Sequence, residues 1–152
     1  PSYQASNAEL MGILLDLERF TGGDVTVNVN HLKNPQKILF LNAKPANDNL
    51  SPGIGLDGVY RDPWGDPYII TLDMNYDNKC RDAFYRQKNV SQVEPGKPTG
   101  LNGLYNSGSN PDSNDFEANT RVMVWSLGPD MTAAVSSANI PPNKDNILSW
   151  KD

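Results

Sequence analysis

Apolar residues at Leu10, Ile13, Leu14 and Leu17 recur at i, i+3, i+4 and i+7, and Met11 and Phe20 widen the stripe. This spacing predicts an amphipathic helix over residues 5–20, one face turned to a core. Ser6 and Glu9 form a candidate capping box at its start. Gly22 and Gly23 follow it and predict its stop, because glycine tolerates the left-handed conformation that closes helices. The pattern then weakens. Val25–Val29 alternates briefly, Asn34-Pro35 predicts a turn, and the apolar run Ile38–Leu41 predicts a short helix or strand against the core. Residues 46–58 are rich in Asn, Asp, Pro and Gly and predict a loop. Tyr68–Leu72, aromatic and β-branched, predicts the clearest strand, with a partner over Ala83–Val90 and a third strand over Arg121–Leu127. Between the last two, 17 of the 26 residues 94–119 are Gly, Pro, Ser, Asn or Asp, which predicts a long exposed excursion. The tail from Gly128 is loop-like and ends on an aromatic plug, Trp150.

A helix first and strands afterwards predicts an α+β fold: an N-terminal amphipathic helix packed on a small antiparallel β-sheet of three to four strands, with long loops. The expected organisation is one domain over residues 1–152. It comprises the helix in 1–21, a connecting region in 22–67, the sheet with its excursion in 68–127, and a C-terminal loop in 128–152.

Composition narrows the function. The 152 residues are 38% hydrophobic, enough for one modest core, and the mean hydropathy is −0.56. No apolar run approaches the roughly 20 residues that cross a bilayer. The net charge of −5 argues against a nucleic-acid partner, which would demand a basic excess. A single cysteine, Cys80, excludes an intrachain disulfide, and a single histidine, His31, removes most zinc sites and most Ser-His-Asp devices. Acids and amides dominate the polar inventory, and such oxygen donors suit calcium. The chain opens on Pro1 and is expected to be a processed or truncated piece, its targeting information lying upstream.

Three constellations carry candidate chemistry. Asp62-Pro63-Trp64-Gly65-Asp66-Pro67-Tyr68 has the residues of a type I turn, with Pro67 extending Asp66 into the next strand and Trp64 expected to pack the turn onto the core. Bend geometry explains both carboxylates without acid–base catalysis. Asp73, Asn75 and Asp77 stand at i, i+2 and i+4 like the first half of a calcium loop, with Asp82 further on. Asn78 replaces the usual glycine, and Phe84 stands where the closing glutamate belongs, so a polar hairpin turn is the competing reading. Asp130 and Asp145, with carbonyls of the loop between them, form a second candidate calcium site, against solvated turn acids. Cys80 lies between Lys79 and Arg81, whose charges would favour a thiolate. A part-buried thiol is the plainer reading, and a Cys80–His31 dyad lacks any third orienting group.

The blocks DPWGDPY (Asp62–Tyr68), VWSLGPD (Val124–Asp130) and DNILSW (Asp145–Trp150) resemble, in this order, the globular domain of type IV pilin-like proteins. The nearest member type is the major pseudopilin of type II secretion. Asp66 stands where that family usually has Asn, and Met131–Lys144 replaces its Gly-rich stretch. The resemblance implies a structural subunit of a type IV pilus or pseudopilus that assembles by helix packing, with no catalytic residues. It implies a leader and an apolar helical segment upstream, cleaved and methylated by a prepilin peptidase and anchoring the subunit in the inner membrane before assembly. Its partners would be like subunits and other pilin or secretion components, its location the cell envelope on the periplasmic or extracellular side. It also implies a calcium held by Asp130, Asp145 and the Leu127 carbonyl. The alternative is an extracellular adhesion or binding module of pilin-like fold that meets host or matrix.

Overall fold

The computed structural model describes residues 6–151. The chain divides into two compact units, one running through Tyr68 and the other beginning at Ile69. It is a mixed helix-and-sheet fold whose sheets are all small and antiparallel.

The first unit opens on α1, Ala8–Leu14. This helix is much shorter than the apolar period predicts. It ends in a Schellman motif: Asp16 adopts a positive φ of 52°, Leu17 N–H donates to the Gly12 carbonyl and Asp16 N–H to that of Ile13. An aspartate takes the place where glycine is the usual signal, because its side chain is held from outside by His31 Nδ1 at 2.8 Å and Asn28 Nδ2 at 3.0 Å. Leu17 and Phe20 continue the hydrophobic period beyond the helix, in a turn that brings Arg19 against Val25. At the other end, Ser6 Oγ accepts the Ala8 N–H, while the side chain of Asn7 leaves the helix altogether. It bonds β2 (Tyr60–Arg61), which pairs with β1 (Gly53–Ile54) in register Ile54↔Tyr60. Asp57 closes the β1–β2 turn with a paired contact to Arg61, at 2.9 and 2.7 Å.

The second unit contains a three-stranded sheet of order β3-β6-β7, made of Ile69–Leu72, Val122–Ser126 and Ile147–Leu148. The registers are Ile69↔Trp125 through Leu72↔Val122, and Trp125↔Leu148. Both β3 and β6 lie within a residue of their predicted positions. The expected partner strand over Ala83–Val90 is not one. The Asp82 carboxylate accepts the N–H groups of Phe84 and Tyr85, both at 2.9 Å, which turns the chain, and Lys88–Ser91 follows as the single-turn helix α2. The true partner of β3 is β6, some fifty residues on. The excursion 94–119 carries its own hairpin, β4 (Tyr105–Asn106) with β5 (Phe116–Glu117), and Phe116 is buried in the core. The tail holds β7, and Trp150 stacks edge-on to Tyr85 at 5.2 Å. Around Trp125 gather Phe84 at 5.3 Å and Tyr85 at 5.0 Å, an aromatic centre closed by Met123, Val90 and Leu104.

Candidate functional site

The DPWGDPY turn is held from inside. Asp62 is fully buried, and its Oδ1 accepts the N–H groups of Trp64 and Asp66, both at 2.9 Å, while its carbonyl accepts Gly65 N–H. Gly65 has φ 98°, and a Cβ there would collide with the Leu50 carbonyl. Trp64 does not anchor the turn as expected: it is 40% exposed, because the Asp62 hydrogen bonds already hold the bend. Asp66 is the anomaly. Its Oδ2 is buried without a hydrogen-bond partner, and burial together with the nearby Asp62 charge pushes its carboxyl above the usual range.

That anomaly yields a prediction. An acid raised by folding weakens the native state once the pH exceeds its ordinary value, because the native state then holds the proton more tightly than the unfolded chain. Asp66→Asn removes the misplaced charge. Its melting temperature at pH 7 is expected to exceed the parent's by a few degrees, with the advantage disappearing near pH 3. A melting temperature at or below the parent's at pH 7 would show that Asp66 is not strained.

The loop bearing Asp73, Asn75 and Asp77 is closed by its own hydrogen bonds. Asp73 accepts the N–H groups of Asn75, Asp77 and Asn78, Asn75 Nδ2 donates to Asp77 Oδ2, and Asp77 Oδ1 accepts Lys79 N–H. A cavity of about 320 Å³ beside it is lined by Asp73 and Asp77 but also by Lys79 and Arg81. Lys79 and Arg81 share the lining with the two carboxylates, and the loop is no hairpin turn, because β3 pairs with β6 and not with the segment that follows the loop. The loop presents Met74 and Tyr76 outward, 80% and 89% exposed.

At its base runs an ionic network that sequence reasoning missed. Glu117, nearly buried on β5, meets Arg81 at 2.9 Å and Lys79 at 3.4 Å and accepts the Tyr105 hydroxyl at 3.0 Å. Burial alone would raise its carboxyl, yet hydrogen bonds from Arg81, Ser107 and Tyr105 outweigh burial and hold it below the usual range. Arg81 also reaches Asp115 at 3.0 Å. The pairing of Cys80 with Ala118 brings residues 79–81 and 115–117 together, which no local pattern announces.

Leu127, Asp130 and Asp145 bracket the C-terminal loop. Gly128, φ 74°, packs so closely on the Asp145 carbonyl that no side chain would fit, which joins the two ends of the loop. Asp130 Oδ1 accepts Thr132 N–H at 3.0 Å, a solvent-exposed turn. Asn146 Oδ1, beside Asp145, is buried with no donor facing it. The Asp145 backbone carbonyl and the unpartnered Asn146 Oδ1 are thus the oxygens at the loop base, while the Asp130 carboxylate is engaged in its own exposed turn. Among the described residues no group of three His, Cys, Asp or Glu is placed to hold a metal.

Cys80 is 2% exposed and its thiol donates to the Thr71 carbonyl. Burial, with the charges of Asp82 and Asp73, pushes the thiol up, opposite to the reactive thiolate that its basic neighbours suggested. His31 is engaged by two carboxylates, Asp16 at 2.8 Å and Glu18 at 3.2 Å, which ties the end of α1 to the following turn. The hydrogen bond from His31 holds the Asp16 carboxyl below its usual range.

Comparison with known proteins returned no matching family model, curated protein or solved structure.

Proposed function

We propose that this chain is the globular part of a filament subunit of the type IV pilin and pseudopilin kind. The observation that carries this reading is that the second and third blocks pair as neighbouring strands, while the first block leads along the chain into the strand beside them. DPWGDPY is followed at once by β3, Val124–Ser126 of the second block lies on β6, Ile147–Leu148 of the third is β7, and β3, β6 and β7 pair into one antiparallel sheet. Two blocks that lie apart in the chain gain a common meaning when they pair as neighbouring strands. The start of α1 supports the same reading. Asn7 has φ −90° and ψ 2°, near the helical region rather than the extended conformation of a normal N-cap, and its side chain caps no helix N–H. The role is mechanical: buried carboxylates such as Asp62 and Asp82 spend their oxygens on structural hydrogen bonds.

The test uses the full-length chain, produced from its own start codon in its native cell. Sheared surface or periplasmic filaments that label with antibody against residues 6–151 are expected. A chain released as a monomer behind an ordinary signal peptide, with no labelled filament, would overturn the reading.

The same proposal places one calcium at the base of the C-terminal loop, with Asp130, Asp145 and the Leu127 carbonyl as its oxygen ligands. An ion bound only by the native state adds stability by mass action. Chelator is expected to lower the melting temperature and added calcium to restore it, and Asp145→Ala to abolish the response. Identical melting curves with chelator and with millimolar calcium would remove the ion from the proposal.

A further inference from the structure

We infer that the exposed strip Leu32–Lys44 is the surface by which one copy of this chain docks head-to-tail on the next. The inference takes its setting from the filament reading but rests on its own observations. Ile38–Leu41, expected against the core, joins no helix or strand and faces outward: Leu32 is 70%, Leu39 64% and Phe40 60% exposed. Scattered exposed apolar residues are ordinary, but a cluster on one short segment marks a contact surface.

The strip is held in place, not slack. Asn34, buried, donates to the carbonyls of Ile13 at 3.1 Å and Ile38 at 2.7 Å and accepts Ile38 N–H at 3.1 Å. Asn28 Oδ1 accepts the N–H groups of Lys33 and Asn34, and Phe40 N–H donates to Leu14 O at 2.9 Å. Two buried asparagines therefore fix the segment onto the end of α1, so little conformational freedom is lost when something binds it.

Charge selects the occupant. Lys33, Lys37 and Lys44 are exposed on the strip, and no Asp or Glu occurs between Val25 and Asn47. All 18 carboxylates of this acidic chain lie elsewhere. A basic, apolar strip on an otherwise acidic molecule matches the remaining surface of a second copy. Two strips meeting face to face would set lysine against lysine. The favourable contact is therefore strip to carboxylates outside residues 25–47, a heterologous contact that leaves a free strip at one end and free carboxylates at the other and so propagates.

The test places the photo-crosslinker p-benzoylphenylalanine at position 40 of the 152-residue chain and maps the cross-linked peptides by mass spectrometry. Dimers joining position 40 to an acidic segment outside residues 25–47 are expected, weakened about tenfold or more by Lys33→Glu with Lys37→Glu and by raised salt. The charge variants keep every backbone hydrogen bond named above, so an unchanged melting temperature is expected. Cross-links only between two copies of position 40, or no dimer at millimolar concentration, would overturn the inference. So would co-sedimentation of the chain with phosphatidylglycerol vesicles that the same charge variants abolish, since the strip would then be a membrane contact. Labelled filaments whose assembly ignores the charge variants would sink this contact and leave the filament reading standing. Strip-to-acid cross-links without filaments would do the reverse.

Discussion

Replacing Asp82 with alanine is expected to cost about 3–5 kcal/mol of unfolding free energy, near the upper end for a single substitution. Asp82 is 1% exposed and its two oxygens serve four donors. Oδ1 takes the N–H groups of Phe84 and Tyr85, both at 2.9 Å. Oδ2 takes the Thr71 hydroxyl at 2.8 Å and the Trp125 indole N–H at 3.2 Å. One carboxylate thus joins β3, β6 and the turn that leads to α2. Alanine removes the acceptor that the two backbone N–H groups, the Thr71 hydroxyl and the Trp125 indole share. Asp82→Asn is the informative control. Its amide oxygen can still accept the two backbone N–H groups, but its NH2 then faces the indole N–H, donor against donor. It is expected to lose about half as much. Denaturant titration followed by far-UV dichroism measures both. A loss below about 1 kcal/mol for alanine would mean that the network contributes little.

The second large effect is expected at Asn7. Its Nδ2 donates to the carbonyls of Tyr60 at 2.9 Å and Tyr68 at 2.8 Å, and its Oδ1 accepts Tyr60 N–H at 2.8 Å. The residue is 5% exposed. The Tyr60 carbonyl keeps a second partner in Tyr68 N–H, so alanine strands the Tyr60 N–H and the Tyr68 carbonyl. The expected loss is about 2–4 kcal/mol. Asn7→Asp should do no better, since it turns an oxygen toward two carbonyls. Hydrogen exchange locates the effect: protection of the Tyr60 amide should fall in both variants. An unchanged Tyr60 exchange rate would show that the β1–β2 hairpin does not depend on this side chain.

Both residues show where sequence reading stops. Asn7 lies inside a candidate capping signal, and local logic gives its side chain to the helix. The fold gives it instead to backbone more than fifty residues away, because Tyr60 on β2 and the neighbouring Tyr68 offer three backbone groups in one place. Asp82 reads as a trailing member of a possible calcium loop. It becomes the acceptor at the centre of the core because Trp125 brings an indole N–H that must be satisfied once buried. The apolar letters of Phe84, Tyr85 and Val90 resemble a strand, but Asp82 accepting the next N–H groups bends the backbone before a strand can form. The helical period through Phe20 reports apolar packing that continues after the helix has stopped, since Asp16 ends it through contacts made by His31 and Asn28.

The sequence by itself determined what local chemistry can determine: where β3 and β6 run, that Asp62 opens a bend, that the chain mixes a leading helix with small antiparallel sheets, and that its charge is acidic. Only the tertiary structure decided which strand pairs with which, that Ile38–Leu41 faces outward, that Cys80 is sealed away, and that Glu117 gathers Lys79 and Arg81. The physical reason is range. Strand periodicity, turn residues and net charge act within a few residues and leave a mark in composition. Register, burial and the partner of a buried polar group depend on atoms brought together across dozens of residues, where the satisfaction of every hydrogen bond is settled by the whole chain at once.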